Sequence, residues 1–133
     1  MKYGRDDDEW NTLAIATEAF LIERARDAGL TSYTELNTEL VERTELRAFD
    51  FSDDAGRAAI GHLLRLVVES NIATTHLMLT ALVTYLNAND AGPGFYALAV
   101  HLGLLEKGAS MEAKFDFWLR QVADVHAFYG QAV

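Results

Sequence analysis

The chain has a single proline, Pro93, and it stands between Gly92 and Gly94. No other residue limits the backbone as much. Proline fixes its own φ, lacks the N–H a helix interior needs, and biases the residue before it away from helical angles. The flanking glycines open angles that other residues avoid. The chain is therefore expected to stop here, turn sharply and restart as a helix. Phe95, Leu98, Leu102 and Leu105 would line that helix, with Gly103 near its end.

Elsewhere apolar spacing divides the chain. Trp10, Leu13, Thr17, Phe20, Leu21 and Ala28 follow a helical period behind Asp6, Asp7 and Asp8, whose carboxylates favour a helix N-terminus, and Gly29 is the expected C′ residue. "SYTE" sets Ser32 and Glu35 at capping-box spacing before a second helix with Tyr33, Leu36, Leu40 and Val41 on its apolar face. "ELRAFDFSDD" reads as a connection anchored by Phe49 and Phe51. Ser52 is the expected cap of a third helix, with Asp53 and Asp54 in its first turn, Ile60, Leu63, Leu64, Val67 and Val68 buried, and Asn71 at its end. Gly56 and Gly61 lower its intrinsic stability by up to about 1 kcal/mol each relative to alanine if both lie inside it, and such glycines often mark close packing. Residues 77–86 are apolar and long enough for a helix. Their β-branched and aromatic content, with "NANDAGPG" behind, favours a strand entering a turn. Ser110 would cap a last helix bearing Phe115, Trp118, Leu119, Val122, Val125 and Tyr129, closed by Gly130. Trp118 is expected to be buried against the first and third helices.

Half of the 133 residues are hydrophobic, enough for one core without disulfides or metals, and there is no cysteine. The first apolar segment follows "RDDDEW" and is broken by Glu18 and Glu23, unlike a secretory signal or a membrane span. The expectation is a cytoplasmic protein without membrane association. Eleven basic against twenty acidic residues give a net charge of −9. Every segment is acidic: four basic and seven acidic residues over 1–30, four and eight over 31–70, three and five over 71–133. Nucleic-acid affinity rests on neutralising phosphates, and such a field opposes it. Acidity serves solubility, or it is aimed at a basic partner.

No motif announces catalysis. His62, His76, His101 and His126 lie outside any H-E-x-x-H or E-x-x-H pattern, and no cysteine can complete a zinc site, so no metal is expected. Asp124 and His126 are two apart on a helix and face different ways. Glu18 and Glu69 interrupt apolar stretches but read as solvent-facing. No G-x-S-x-G elbow surrounds Ser32, Ser52, Ser70 or Ser110, and "GPG" lacks the lysine of a phosphate loop. No cofactor is expected.

The segments "LTSYTEL", "AGRAAIGHLLRLVVESN", "LTALVTYLNANDAGPGFYALAVHLG" and "FDFWLRQVADVHAFYG" together resemble a small domain associated with bacterial restriction-type nucleases and mobile elements. The resemblance covers about residues 30–130. The layout is also similar to the DNA-binding half of alkyltransferase-like proteins. Alkyl transfer needs a cysteine in a P-C-H-R motif, where this chain has "HLMLTALV", so that activity is excluded. The basic helix face of such a domain is reduced here to Arg57 and Arg65.

These readings converge on one α+β, mostly α domain over residues 1–133, helix-rich and of winged-helix-like layout with one or two short strands. Residues 1–30 form its N-terminal helix and 31–130 the family-like region. The expected function is a non-enzymatic binding or regulatory module acting through a protein partner in a DNA-processing or defence setting. Asp6, Asp7, Asp8, Glu9, Glu35, Glu39, Glu42 and Tyr96 are its candidate contacts. The runner-up is direct DNA binding through Tyr33, Arg57 and Arg65. An enzyme whose residues meet only in three dimensions is the third class, and a homo-oligomer is open.

Overall fold

The computed structural model describes residues 1–85 and 88–130. Its elements are α1 (Asp7–Arg26), β1 (Thr31–Ser32), α2 (Tyr33–Thr44), α3 (Asp54–Thr75), a 3₁₀ turn (Leu79–Leu82), β2 (Val83–Thr84), α4 (Pro93–His101) and α5 (Met111–Gly130). This is the α+β, mostly α class the sequence pointed to. The two strands run parallel, Thr31 opposite Val83 and Ser32 opposite Thr84, with α2 and α3 in the crossover between them. Among the described residues no β-hairpin projects from the body.

The helix starts follow their caps. Asp6 accepts from the Glu9 N–H at 2.8 Å, Ser32 from Glu35 at 3.1 Å and Ser110 from Ala113 at 3.1 Å. The cap of α3 is Asp53, not Ser52, with its Oδ1 taking the Gly56 N–H at 2.7 Å. Ser52 is unavailable because its hydroxyl and its N–H both donate to Asp50 Oδ1, at 2.6 and 2.9 Å. Helix ends differ more. In α1 the left-handed residue is Ala28 at φ +52°, one before Gly29; Gly29 N–H reaches Arg24 O and Ala28 N–H reaches Ala25 O. That is a Schellman motif built without glycine at its strained position. Asn71 does not end α3. It is buried there, donating from Nδ2 to the Tyr129 hydroxyl at 2.9 Å, and the helix runs on to His76 at φ +60°.

The corner at the proline forms as expected. Gly92 sits at φ +87° and Pro93 opens α4 at its first position. A Cβ at Gly92 would lie 2.6 Å from the Tyr85 side chain. Asp90 stitches the turn, its Oδ1 accepting from the Ala91 N–H at 2.6 Å and the Tyr96 hydroxyl at 2.5 Å.

Residues 77–86 are not one strand. Only Val83–Thr84 pairs, residues 79–82 form the 3₁₀ turn, and Leu86 lies outside the described residues. The physical reason is a set of backbone partners supplied by α5. Gln121 Oε1 accepts from the Met78 N–H at 2.9 Å and Trp118 Nε1 donates to the Ala81 carbonyl at 2.8 Å. Buried main-chain groups that would otherwise need a ladder are satisfied by side chains.

The core has two joined parts. Leu13, Leu21, Leu36, Leu40, Ile60 and Leu63 fill the space between α1, α2 and the first half of α3. Val68, Met78, Ala81, Phe95, Ala99 and Trp118 fill the other part. Trp118 is buried as expected, but it packs on α4 and the second half of α3 rather than on α1. The interior stripe of α5 is Phe117, Trp118, Gln121 and Val125, while Phe115 and Leu119 are 42% and 45% exposed. Val122 packs against both parts.

Arg5 gave no signal in the sequence and is 2% exposed. Its guanidinium lies 4.5 Å over the Phe49 ring and donates to the Arg47 carbonyl at 2.6 Å. Burial first, and the neighbouring Arg47 second, hold its pKa below the usual arginine value. This contact ties the N-terminal turn down and brings Tyr3 within 6.0 Å of the His62 ring.

Candidate binding grooves beside the third helix

Two open concavities flank α3, and His62 lines both. The first is a cleft of about 430 Å³ between α3 and α4. On α3 it is lined by Ala58, Gly61, His62 and Arg65, and on α4 by Gly94, Ala97, Leu98 and His101. Both sets have i, i+3, i+4, i+7 spacing, one helix face each. The small residues leave the space between the two helices unfilled: a Cβ built at Gly61 or Gly94 meets no atom within 4 Å. Gly61 is therefore not the close-packing point expected from the sequence. Gly56 is, since its Cβ would fall 1.5 Å from the Asp50 carbonyl oxygen. Val83, Thr80 and Tyr33 contribute to the lining. Burial, with Tyr85 nearby, pushes the Tyr33 hydroxyl up to about 12, so it stays neutral.

The one arginine in the cleft's lining is opposite in sign to the chain's net charge. Arg65, His62 and His101 line it, and no Asp or Glu is among its described lining residues. Glu69 is the nearest carboxylate partner of Arg65, at 3.6 Å from Nε, too long for a hydrogen bond. His62 stands edge-on to the Trp10 ring at 4.8 Å, and burial, then Lys2, hold its pKa below the ordinary histidine value.

The second groove, about 650 Å³, runs between α1 and α3. Trp10, Ala14, Ile15 and Leu66 give it an apolar wall, and Asp7 and Glu18 give it acidic edges. Ile15 is 63% exposed, unusual for a β-branched apolar residue.

The acidic candidates do not form one patch. Asp6 is spent as the α1 cap, and Glu9 lies 3.9 Å from Arg5. Asp7 and Asp8 remain exposed in the first turn. Glu35 pairs with Arg24 at 3.0 Å and Glu39 with Arg43 at 2.9 Å, while Glu42 is exposed. Asp7 and Arg24 are about 25 Å apart along α1 at 1.5 Å per residue, so the two sets cannot meet one small contact. Tyr96, expected as a partner contact, is instead 8% exposed with its hydroxyl donating to Asp90, so it is not open to a partner.

The nucleic-acid candidates also separate. Tyr33 is buried, and Arg57 is held by Asp54 and by the Phe51 carbonyl at 2.7 Å. Only Arg65 is half exposed. Of the histidines, His126 bonds the Gly29 carbonyl at 2.8 Å and His76 ends α3. Among the described residues no three or more His, Cys, Asp or Glu side chains gather as a metal site would require, and no helix is long and apolar enough to cross a membrane. The two facing small-residue patterns on α3 and α4 were present in the sequence. In sequence each is indistinguishable from helix packing, and only the separation of the two helices makes it a cleft wall. No protein-family model, curated protein or solved structure matches the chain.

Proposed function

We propose that this chain is a non-enzymatic binding module that engages a protein partner through the α1–α3 groove. The observation that carries the reading is the exposed Ile15 on an apolar wall edged by Asp7 and Glu18. That combination suits a basic amphipathic segment, its apolar side chains against Trp10, Ile15 and Leu66 and its cations beside the carboxylates. A cytosolic DNA-processing or defence setting rests on the motif resemblance over about residues 30–130, and the absence of cysteine fits a reducing compartment.

Affinity purification with identification of bound proteins, followed by calorimetry on the purified pair, tests this. Ile15→Ser should weaken the complex about tenfold or more, as loss of an apolar anchor does. Asp7→Asn with Glu18→Gln should lower mainly the association rate and its salt dependence. A partner that binds equally well to all these variants would reject the groove. A sequence-specific duplex-DNA complex at physiological salt that weakens on Arg57→Gln or Arg65→Gln would favour direct DNA binding instead.

A further inference from the structure

We infer that the α3–α4 cleft binds a small apolar carboxylic acid. The hydrocarbon body would lie against Leu98 and Phe95 and the carboxylate at Arg65 and His101. Three observations carry this, none of which depends on the α1–α3 groove.

The first is shape. At about 430 Å³ the cleft has the size of small-molecule sites, and it is open because Ala58, Gly61, Gly94 and Ala97 withhold side chains from both walls. The second is chemistry. Leu64, Leu98 and Phe95 supply an apolar lining, and polar groups are few, as in ligand pockets generally. The third is charge. In a chain of net charge −9, this cleft presents the Arg65 guanidinium, with His101 as a further hydrogen-bonding group on the facing helix, and no described carboxylate among its lining residues. Glu69, 3.6 Å from Arg65 Nε, leaves the guanidinium fork without a bidentate partner, and a carboxylate matches that fork. An anion without an apolar body would leave the lining wet, and a neutral apolar molecule would leave Arg65 unmatched.

The experiment is an amide chemical-shift titration of the folded protein with phenylacetate and octanoate, with phenylacetamide and acetate as controls. Arg65 is 49% exposed, so dissociation constants on the order of 0.1–1 mM are expected. At least one of the two acids should give saturable shifts over residues 58–65 and 94–101. Phenylacetamide should bind at least about tenfold more weakly than phenylacetate, or, if only octanoate binds, octanamide than octanoate. Acetate should not saturate. Arg65→Gln should cost about tenfold. Gly61→Leu should abolish the shifts while the rest of the spectrum stays that of the folded chain, because its Cβ enters open space. Absence of saturation by both acids overturns the proposal. So does equal binding of the amide, saturation by acetate, or binding that survives Gly61→Leu. Should Gly61→Leu not fold, Ala97→Leu makes the same test from the exposed side of α4.

Discussion

Two glycines in one helix should respond to the same substitution with opposite signs. Gly56→Ala and Gly61→Ala each gain about 1 kcal/mol of helix propensity. At Gly61 nothing lies within 4 Å of the new Cβ, so the gain is realised and the variant should be about 0.5–1 kcal/mol more stable than the parent. At Gly56 the new Cβ would lie 1.5 Å from the Asp50 carbonyl oxygen and 2.6 Å from its carbon. A carbon–oxygen contact needs about 3.3 Å, so the 50–53 segment must move by nearly 2 Å. That segment is held on several sides. Asn37 bonds both the carbonyl and the N–H of Phe49, at 2.9 and 2.8 Å, and Asp53 caps α3 at 2.7 Å. Arg57 also holds the Phe51 carbonyl at 2.7 Å. Loss of the cap alone costs about 1 kcal/mol, and strain at the Phe49 anchor adds to it. The net expectation for Gly56→Ala is a loss of about 2–4 kcal/mol. Urea unfolding followed by circular dichroism reads both, with thermal midpoints moving by about 3–5 °C per kcal/mol for a chain of this size. Equal stability of Gly56→Ala and the parent would refute the reasoning, and so would a destabilised Gly61→Ala.

Other substitutions test other joints, all by the same unfolding assay. Gly92→Val must adopt φ +87° and meet Tyr85 at 2.6 Å, so it should cost clearly more than the roughly 1 kcal/mol of an ordinary glycine effect. Trp118→Ala removes a buried indole and its bond to the Ala81 carbonyl and should cost about 3–5 kcal/mol; an unchanged melt would show the indole to be dispensable. Ala28→Gly relieves a left-handed alanine at φ +52° and should stabilise by about 0.5–1 kcal/mol, a gain that must vanish if the Schellman geometry is not formed.

How much was legible follows local chemistry. Ser32 and Ser110 cap as expected, α1 starts at the aspartates as expected, and the proline corner forms as expected, because each depends on a few adjacent residues. The misreadings depend on partners distant in sequence. Asn71 resembles a helix end until Tyr129, fifty-eight residues on, accepts from it. Residues 77–86 read as a strand because the sequence does not reveal that Gln121 and Trp118 will satisfy their backbone. Phe115 and Leu119 share the period of the true stripe on α5, and only packing sets its phase toward Phe117 and Gln121. The cleft was hidden for a related reason. Small residues at helical spacing signal either contact or separation, and composition does not distinguish the two.

The bridging position of α5 makes the chain divisible. Between α4 and α5, residues 102–110 contain no buried residue, and Gly103 and Gly108 both carry positive φ. A cut beyond Leu105, which with Leu102 still packs on the second part of the core, would sever no helix or strand. It would leave α5 held by Trp118 and Gln121 against one half of the core, and by Val125 and the His126 bond to Gly29 against the other. The larger fragment alone would expose the Met78 N–H and the Ala81 carbonyl along with a stripped apolar face. Its companion, α5, carries the groups that satisfy them, so the two fragments are expected to reassemble when mixed.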